Sequence, residues 1–241
     1  MTKNILYLGL TPPKEIENNL IHFPVIKIHP RPLTDKALMR AFEIIPDLTH
    51  LVFTSKTTVK IFFDSIQKLS ISLSAINPIK IAVVGKSTAG EVEKQGCSVW
   101  KTALEETSEG LVKVLKNEIV PQDYILWPHS VLSRDILSTF LASTGCSFYE
   151  CIFYDTEIIL PGPPPTLDTI DEIIFTSPST VDGFLQAYGE LPLNKKLTCQ
   201  GPVTESYLNL RNTRPSDTMH YTEGASKFVF DKEKPPANPL S

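Results

Sequence analysis

The sequence predicts an α/β protein built from two similar lobes, each with a doubly wound parallel sheet, joined by two crossing β-strands. Three observations lead to this prediction. Short apolar runs alternate with helix-like segments, which is typical of parallel sheets covered by helices. A motif in residues 53–63 recurs in residues 175–185. The 241 residues are enough for two lobes of roughly 100–130 residues each.

The repeated motif is Phe-Thr-Ser-x-x-Thr-Val-x-x-Phe, and each copy follows a β-rich run. A second motif, Gly-x-x-Thr between a strand and a helix, follows in the same order at Gly85 and Gly201. A weaker third pair is residues 107–110 with 222–224. Three pairs in one order indicate that the two lobes are built alike.

The elements follow from hydrophobic periodicity. Apolar residues spaced three and four apart predict helices, and Gly145 and Gly189 are predicted to end two of them. In chain order we predict strand 5–8, helix 13–20, strand 25–28, strand 51–52, helix 59–69, strand 82–84, strand 124–127, helix 132–145, strand 173–174, helix 181–189 and strand 197–199.

The lobes are not simple halves of the chain, because only 70 residues remain from Glu172 to the end. The N-terminal strand–helix–strand unit is therefore assigned to the C-terminal lobe. We predict that lobe 1 comprises residues 1–30 and 157–241 and that lobe 2, residues 34–150, is inserted into it. Residues 26–33 and 151–159 are predicted to form the interlobe linker strands.

Composition excludes several classes. The net charge of −4 argues against a nucleic-acid partner, and no apolar run approaches the roughly 18–20 residues of a membrane span. The N-terminus lacks the pattern of a signal peptide, so we expect a cytoplasmic protein. Neither the four cysteines nor the five histidines have metal-ligand spacing, so no metal is expected. We expect a monomer that binds a small molecule.

Polar side chains follow the predicted strands, where open parallel sheets bind their ligands. The first N–H groups of a helix favour anions, so hydroxyls at several such turns suit a large ligand with many carboxylates. Each hydroxyl could instead be a plain helix N-cap. The hydroxyl candidates are Thr54, Ser55, Ser87, Thr88, Ser130, Thr176, Ser177, Ser179 and Thr204.

Nucleotide sites are disfavoured. Residues 85–88 end like a phosphate-binding loop, but Lys80 stands where that loop needs its first glycine. No Gly-x-Gly-x-x-Gly motif occurs either. We therefore expect no cofactor.

Three further side chains have two interpretations each. His129 could bind the ligand or be a solvated turn residue. Arg134, predicted one turn into the following helix, could bind a carboxylate or face water. Tyr154, on a predicted crossing strand, could line the cleft or pack across the sheet.

Together these motifs resemble the uroporphyrinogen-III synthase family over about residues 45–210. The N-terminal turn at Leu10 and the position of Val203 depart from the family pattern. The matching segments are 54–59, 82–89, 107–111, 134–137, 154–156, 175–181 and 200–204.

The resemblance implies two flavodoxin-like lobes and a cofactor-independent lyase of tetrapyrrole and heme biosynthesis. The family's reaction cyclises hydroxymethylbilane to uroporphyrinogen III, with loss of water and inversion of ring D through azafulvene and spiro intermediates. Tyr154 is the catalytic candidate, donating a hydrogen bond to the leaving hydroxyl. Besides the hydroxyls, the resemblance implies substrate contacts at Lys56, Gly85, His129, Arg134, Gly201 and Pro202.

Two other functions stay open. A two-lobed, non-catalytic binding or sensor protein would share the hinge strands and the cleft. A glycosyltransferase-like enzyme would commonly need a carboxylate at a strand end, where this chain has hydroxyls.

Overall fold

The structure, a computed structural model, describes residues 3–13 and 19–213. Its strands are β1 (Asn4–Tyr7), β2 (Asn19–His22), β3 (Ile26–Pro30), β4 (His50–Phe53), β5 (Lys80–Val83), β6 (Val99–Thr102), β7 (Tyr124–Ser130), β8 (Ser147–Ile158), β9 (Glu172–Phe175) and β10 (Lys196–Cys199). Its helices are α1 (Lys36–Glu43), α2 (Lys56–Lys68), α3 (Lys86–Lys94), α4 (Ser108–Leu115), α5 (Ile136–Thr144), α6 (Pro178–Tyr188) and α7 (Pro202–Thr213).

The strands form two sheets, and the predicted two-lobed α/β fold is confirmed. The smaller sheet has the order β10-β9-β1-β2 and the larger β3-β8-β7-β4-β5-β6. All pairs are parallel except β3 with β8. The path β10-β9-β1-β2 corresponds to β5-β4-β7-β8.

The register supports the internal repeat at the level of single residues. Phe53 lies opposite Val83 in the larger sheet, and Phe175 lies opposite Cys199 in the smaller sheet. The Thr-Ser and Gly-x-x-Thr motifs therefore follow matching strand ends in the two lobes. The third motif's second copy, residues 222–224, lies outside the described residues.

The larger sheet is covered on both faces, as a doubly wound sheet requires. Alternate strand residues point to opposite faces. Phe53 and Val83 face one core with Phe62 of α2, whereas Val52 and Ala82 face a second core with helices α4 and α5. Burial of a phenylalanine such as Phe62 stabilises the fold by about 1.5–3 kcal/mol.

The smaller sheet packs on α6 and on the chain that leads to β3. Phe175 and Phe184 form the centre of this core, which also includes Val25 and Ile26. Helix α6 approaches the backbone closely at Gly183, where an added Cβ would lie 2.6 Å from Val25 Cγ2. The start of β3 is therefore fixed to the smaller sheet's core, although β3 pairs in the larger sheet.

Two helix ends were predicted correctly, and two predictions near strands were wrong. Gly145 and Gly189 follow α5 and α6 with φ of 73° and 83°, a backbone that favours glycine. Helix α5 begins at Ile136 and not at Leu132, because residues 130–133 form a turn in which Ser133 N–H donates to Ser130 O. Leu20, predicted to end a helix, lies in β2, whereas residues 14–18 are outside the described part of the chain.

The predicted crossing strands correspond in position to β3 and to the second half of β8. Tyr154 to Ile158 of β8 pair with Ile26 to Pro30 of β3, and we call these ten residues the linker ribbon. The domain boundaries at residues 30, 34, 150 and 157 stay a prediction. None of the described helices is long and apolar enough to cross a membrane.

Candidate functional site

The linker ribbon leaves the larger sheet at the carboxyl ends of its strands. Strand β8 runs parallel to β7, and their last matched pair is Ser130 with Tyr154. From there β8 continues alone with β3 as far as Ile158. The end of β7 and the turns that follow β4 and β5 therefore border the ribbon's start.

The ribbon reaches the smaller sheet at the carboxyl ends of its strands as well. Ile159 N–H donates to Val25 O, and Val25 N–H donates to Leu8 O, which directly follows β1. The five steps from Tyr154 to Ile159 span roughly 17 Å at about 3.3 Å per residue. Both carboxyl edges thus adjoin one short ribbon, which is where parallel sheets bind ligands.

In the larger sheet, the Thr54-Ser55 turn contacts the catalytic candidate. Ser55 Oγ accepts a hydrogen bond from Thr58 N–H at 3.1 Å, so it caps α2. The same oxygen lies 3.3 Å from the phenol oxygen of Tyr154. The Tyr154 side chain is packed in the core and only 6% exposed. The packing interpretation of Tyr154 is confirmed, and its cleft-lining role stays a prediction.

The matching turn in the smaller sheet contains Thr176 and Ser177. Thr180 Oγ1 accepts hydrogen bonds from both of their backbone N–H groups, at 3.0 and 3.2 Å, while Ser177 Oγ lies 2.9 Å from Ser179 Oγ. Thr176 packs directly on Gly9, where an added Cβ would lie 2.5 Å from Thr176 Cγ2. The turn after β1 and the Thr176-Ser177 turn therefore form one surface.

Sequence reasoning missed the residues that hold the N-terminal turn. His22 Nε2 donates to Gly9 O at 2.8 Å, and the Tyr7 hydroxyl donates to Thr11 O at 3.0 Å. The His22 and Tyr7 rings are 5.9 Å apart. Burial raises the pKa of Tyr7, which keeps its hydroxyl a donor at neutral pH. These two side chains fix the turn at Leu10, although it lacks the family's usual residues.

The two Gly-x-x-Thr turns have different backbone conformations at their glycines. Gly85 precedes α3 in an extended conformation, and Gly201 precedes α7 with φ +101°, a value that favours glycine. Thr88 and Thr204 are only 4% and 3% exposed, so in this conformation their hydroxyls face the protein interior. The exposed members of the predicted set are Lys56, Ser87, Arg134, Gly201 and Pro202.

Carboxylates beside the larger sheet bind at two of the candidate positions, the Gly85 turn and Arg134. Lys86 N–H, directly after Gly85, donates to Glu106 Oε1 at 2.9 Å. Arg134 forms two hydrogen bonds to Glu109, at 2.7 and 2.9 Å. Arg134 precedes α5 and does not lie within it as predicted, because that helix starts at Ile136.

His129 lies in β7, not in a turn, and Ser130 ends β7 and begins the turn of residues 130–133. The His129 ring stacks on Trp127 with centroids 4.3 Å apart, and its Nδ1 donates to Ser130 O at 2.9 Å. Burial lowers the pKa of His129, and the Ser130 carbonyl and Glu150 offset only part of this effect. His129 is therefore a neutral hydrogen-bonding group at neutral pH, and not a fixed cation for carboxylates.

Two hollows on the described surface have charged side chains in their walls. The first, about 630 Å³, runs along β10 and α7 and contains Lys195, Lys196 and Glu205. The second, about 330 Å³, lies near His129 and contains Arg31, whose guanidinium is paired with Asp155 at 2.7 Å. Among the described residues, no three His, Cys, Asp or Glu side chains are grouped to hold a metal ion.

Two sheets that are parallel except for the pair β3 and β8, and that share the linker ribbon at their carboxyl edges, define a two-lobed α/β protein. A family model described as uroporphyrinogen-III synthase HemD matches residues 16–220, which is more than half of the chain. The chain belongs to this family, and the predicted resemblance is confirmed.

Curated relatives are similar at low identity. The porphyrin biosynthesis protein HemD of Ruminiclostridium josui is 25% identical over 200 residues, covering 80% of this chain and 40% of that protein. The uroporphyrinogen-III synthase of Chlorobaculum parvum is 25% identical over 199 residues, covering 76% of this chain and 79% of that protein. The chain thus spans less than half the length of the first relative and most of the second.

Solved structures share the fold. A mutant uroporphyrinogen III synthase from Thermus thermophilus superposes with a TM-score of 0.59 at 15% identity, covering 87% of this chain and 89% of that one. The uroporphyrinogen-III synthetase of Helicobacter pylori gives a TM-score of 0.55 at 18% identity, covering 87% and 89%. At these identities the likeness supports the two-lobed fold alone.

Proposed function

We propose that this protein is a uroporphyrinogen-III synthase, which closes hydroxymethylbilane into uroporphyrinogen III. The observation that carries the proposal is the linker ribbon, which borders the carboxyl edges of both sheets. Family membership supplies the substrate class, a linear tetrapyrrole with eight carboxylates. Hydroxyl groups at Thr54, Ser55, Thr176 and Ser177 would bind these carboxylates from two sides, since the backbone N–H groups of Thr176 and Ser177 already donate to Thr180 Oγ1.

The proposed mechanism relies on geometry. Loss of the ring A hydroxyl as water gives an azafulvene, ring D attacks through its substituted α-carbon, and a spiro intermediate rearranges so that ring D is inverted. Holding the two ends of one chain in a reactive orientation can lower a barrier by about 7–11 kcal/mol. The protein's task is to select the folded conformer that leads to inversion over the one that closes without it.

Tyr154 is the proposed catalytic residue. Its hydroxyl lies at the start of the linker ribbon and 3.3 Å from Ser55 Oγ. With Ser55 as the donor to Tyr154, the phenol can direct its single proton toward a leaving hydroxyl and assist its departure as water. The buried ring fixes the position of the phenol oxygen, so the group is preorganised for such a role.

The proposal extends to a cytoplasmic monomer that needs neither metal nor organic cofactor. One bilane supplies both reacting ends, so the chemistry requires no second substrate. Chelator-treated, dialysed protein should still form product. The mass of the protein in solution should be that of a monomer. Dependence on an added metal or cofactor would contradict this part.

The deciding experiment is a product-isomer assay with freshly prepared hydroxymethylbilane. Purified protein should give uroporphyrinogen III, whereas bilane alone closes to the uninverted isomer. Thr54→Ala and Thr176→Ala should each raise KM, with Ser70→Ala, a loop residue away from the strand ends, as the matched control. If the protein leaves the isomer ratio of spontaneous closure unchanged while binding bilane, it is a non-catalytic binding protein.

A further inference from the structure

The loop between β6 and α4 brings carboxylates to the donors expected for the substrate. We call residues 103–109, which are this loop and the first two residues of α4, the acidic loop; they contain Glu105, Glu106 and Glu109. Glu105 binds Lys113 Nζ at 2.8 Å, outside the candidate site. The other two carboxylates bind the Gly85 turn and Arg134, both of which are candidate substrate contacts.

Glu106 fits the Gly85 turn closely. Its Oε1 accepts the hydrogen bond from Lys86 N–H at 2.9 Å, and Gly85 provides no side-chain cap for α3. An added Cβ at Gly85 would lie 2.6 Å from Glu106 Cδ, so the glycine leaves the space that this carboxylate fills. A carboxyl group is thus already bound where the free N–H groups of α3 favour an anion.

Glu109 binds the second candidate donor, the guanidinium of Arg134. The two hydrogen bonds, at 2.7 and 2.9 Å, form the paired geometry by which a guanidinium binds any carboxylate. Both side chains are about half exposed, at 45% and 49%, so water screens the pair and it is easily exchanged. The hydrogen bonds from Arg134 hold the pKa of Glu109 below its usual range, so it is ionised at neutral pH.

We propose that Glu106 and Glu109 occupy, in the ligand-free protein, the positions of two substrate carboxylates, and that the substrate displaces them. This inference rests on the proposed function and adds specificity to it. A ligand with one carboxylate can replace only one of the two contacts, so the acidic loop favours polycarboxylates. In lobe 1 no described carboxylate binds the matching Gly201 turn.

The test compares Glu106→Ala, Glu109→Ala and the double variant with Glu105→Ala, the matched control in the same loop. Removal of an internal competitor should lower KM for hydroxymethylbilane about threefold in each single variant and about tenfold in the double variant, equivalent to about 1.4 kcal/mol. The kcat should be unchanged, and Glu105→Ala should behave as wild type. If Glu106→Ala does not fold, Glu106→Gln keeps a weaker acceptor for Lys86 N–H and replaces it.

Calorimetric binding of mellitate, a benzene with six carboxylates, separates this inference from the proposed function. Tighter mellitate binding by the double variant supports displacement whether or not the wild type makes the type III isomer. If the wild type makes that isomer and both KM and mellitate affinity are unchanged in the double variant, the inference is wrong and the function stands. Weaker mellitate binding would show that the glutamates build the site, which also overturns the inference.

Discussion

Substitution of Gly183 by alanine tests how the smaller sheet is fixed to the linker. Gly183 lies inside α6, where an added Cβ would be 2.6 Å from Val25 Cγ2 and 3.0 Å from Val25 O. One of these neighbours is backbone and the other is a stiff β-branched side chain, so α6 must shift. Gly90, inside α3, is the matched control because its added Cβ would meet nothing within 4 Å.

The expected magnitudes follow from two opposing effects. Alanine in a helix interior is favoured over glycine by about 0.5–1 kcal/mol. Overpacking at a rigid contact costs about 1–3 kcal/mol. We therefore expect Gly183→Ala to lower the free energy of unfolding by about 1–2 kcal/mol, or roughly 2–8 °C in Tm, and Gly90→Ala to raise it by about 0.5–1 kcal/mol.

The assay is urea unfolding followed by far-UV circular dichroism and by tryptophan fluorescence. Both tryptophans, Trp100 in β6 and Trp127 in β7, report on the larger sheet. A loss of stability in Gly183→Ala that appears in dichroism before fluorescence would mean that the lobes unfold separately. If the free energy of unfolding of Gly183→Ala, followed by dichroism, is at least as large as that of Gly90→Ala, the argument from close packing is refuted.

Three other outcomes are expected. Tyr154→Phe should slow isomer formation by about threefold to a hundredfold without loss of Tm, and unchanged turnover would remove this hydroxyl from the mechanism. His22→Ala should raise KM about threefold, because the turn at Gly9 loses its donor, and His22→Gln should restore it; equal effects of both variants would contradict the positioning role. Burial lowers the pKa of His50 from its ordinary 6.5, with Asp123 offsetting part, so the unfolded chain takes up a proton first and stability should be lost as the pH falls below about 6.5. The free energy of unfolding of His50→Gln, measured by chemical unfolding at several pH values in this range, should change less with pH than that of the wild type. The same pH dependence in both proteins would contradict the assignment to His50.

The repeat made the fold predictable. Because Phe53 and Phe175 end matching strands, the Thr-Ser motifs located the same turn in both lobes. Strand β2 could not be predicted, since three of its four residues are exposed or polar and it has one described partner strand, β1. Because β2 was not predicted, the role of His22 could not be predicted either: its contact with Gly9 exists only when β1 and β2 pair.

The sequence predicted that the candidate residues lie at strand ends, but it did not predict the contacts among them. Spacing alone cannot show that Thr88 and Thr204 turn inward, because buried and exposed hydroxyls share the same motif. The contacts of Glu106 with Lys86 and of Glu109 with Arg134 join residues 20 and 25 positions apart, which no local pattern reports.

The order of the strands along the chain has a consequence for how the protein forms during synthesis. In the smaller sheet, Asn4 N–H binds the Asp171 carboxylate across 167 positions, whereas β4 to β7 of the larger sheet lie within residues 50–130. Closing so long a loop is entropically costly, and nascent domains fold as units once their residues emerge. The core of the larger sheet can therefore assemble on the ribosome before β9 is available to pair with β1, and β8 then pairs with β3 to complete the linker ribbon.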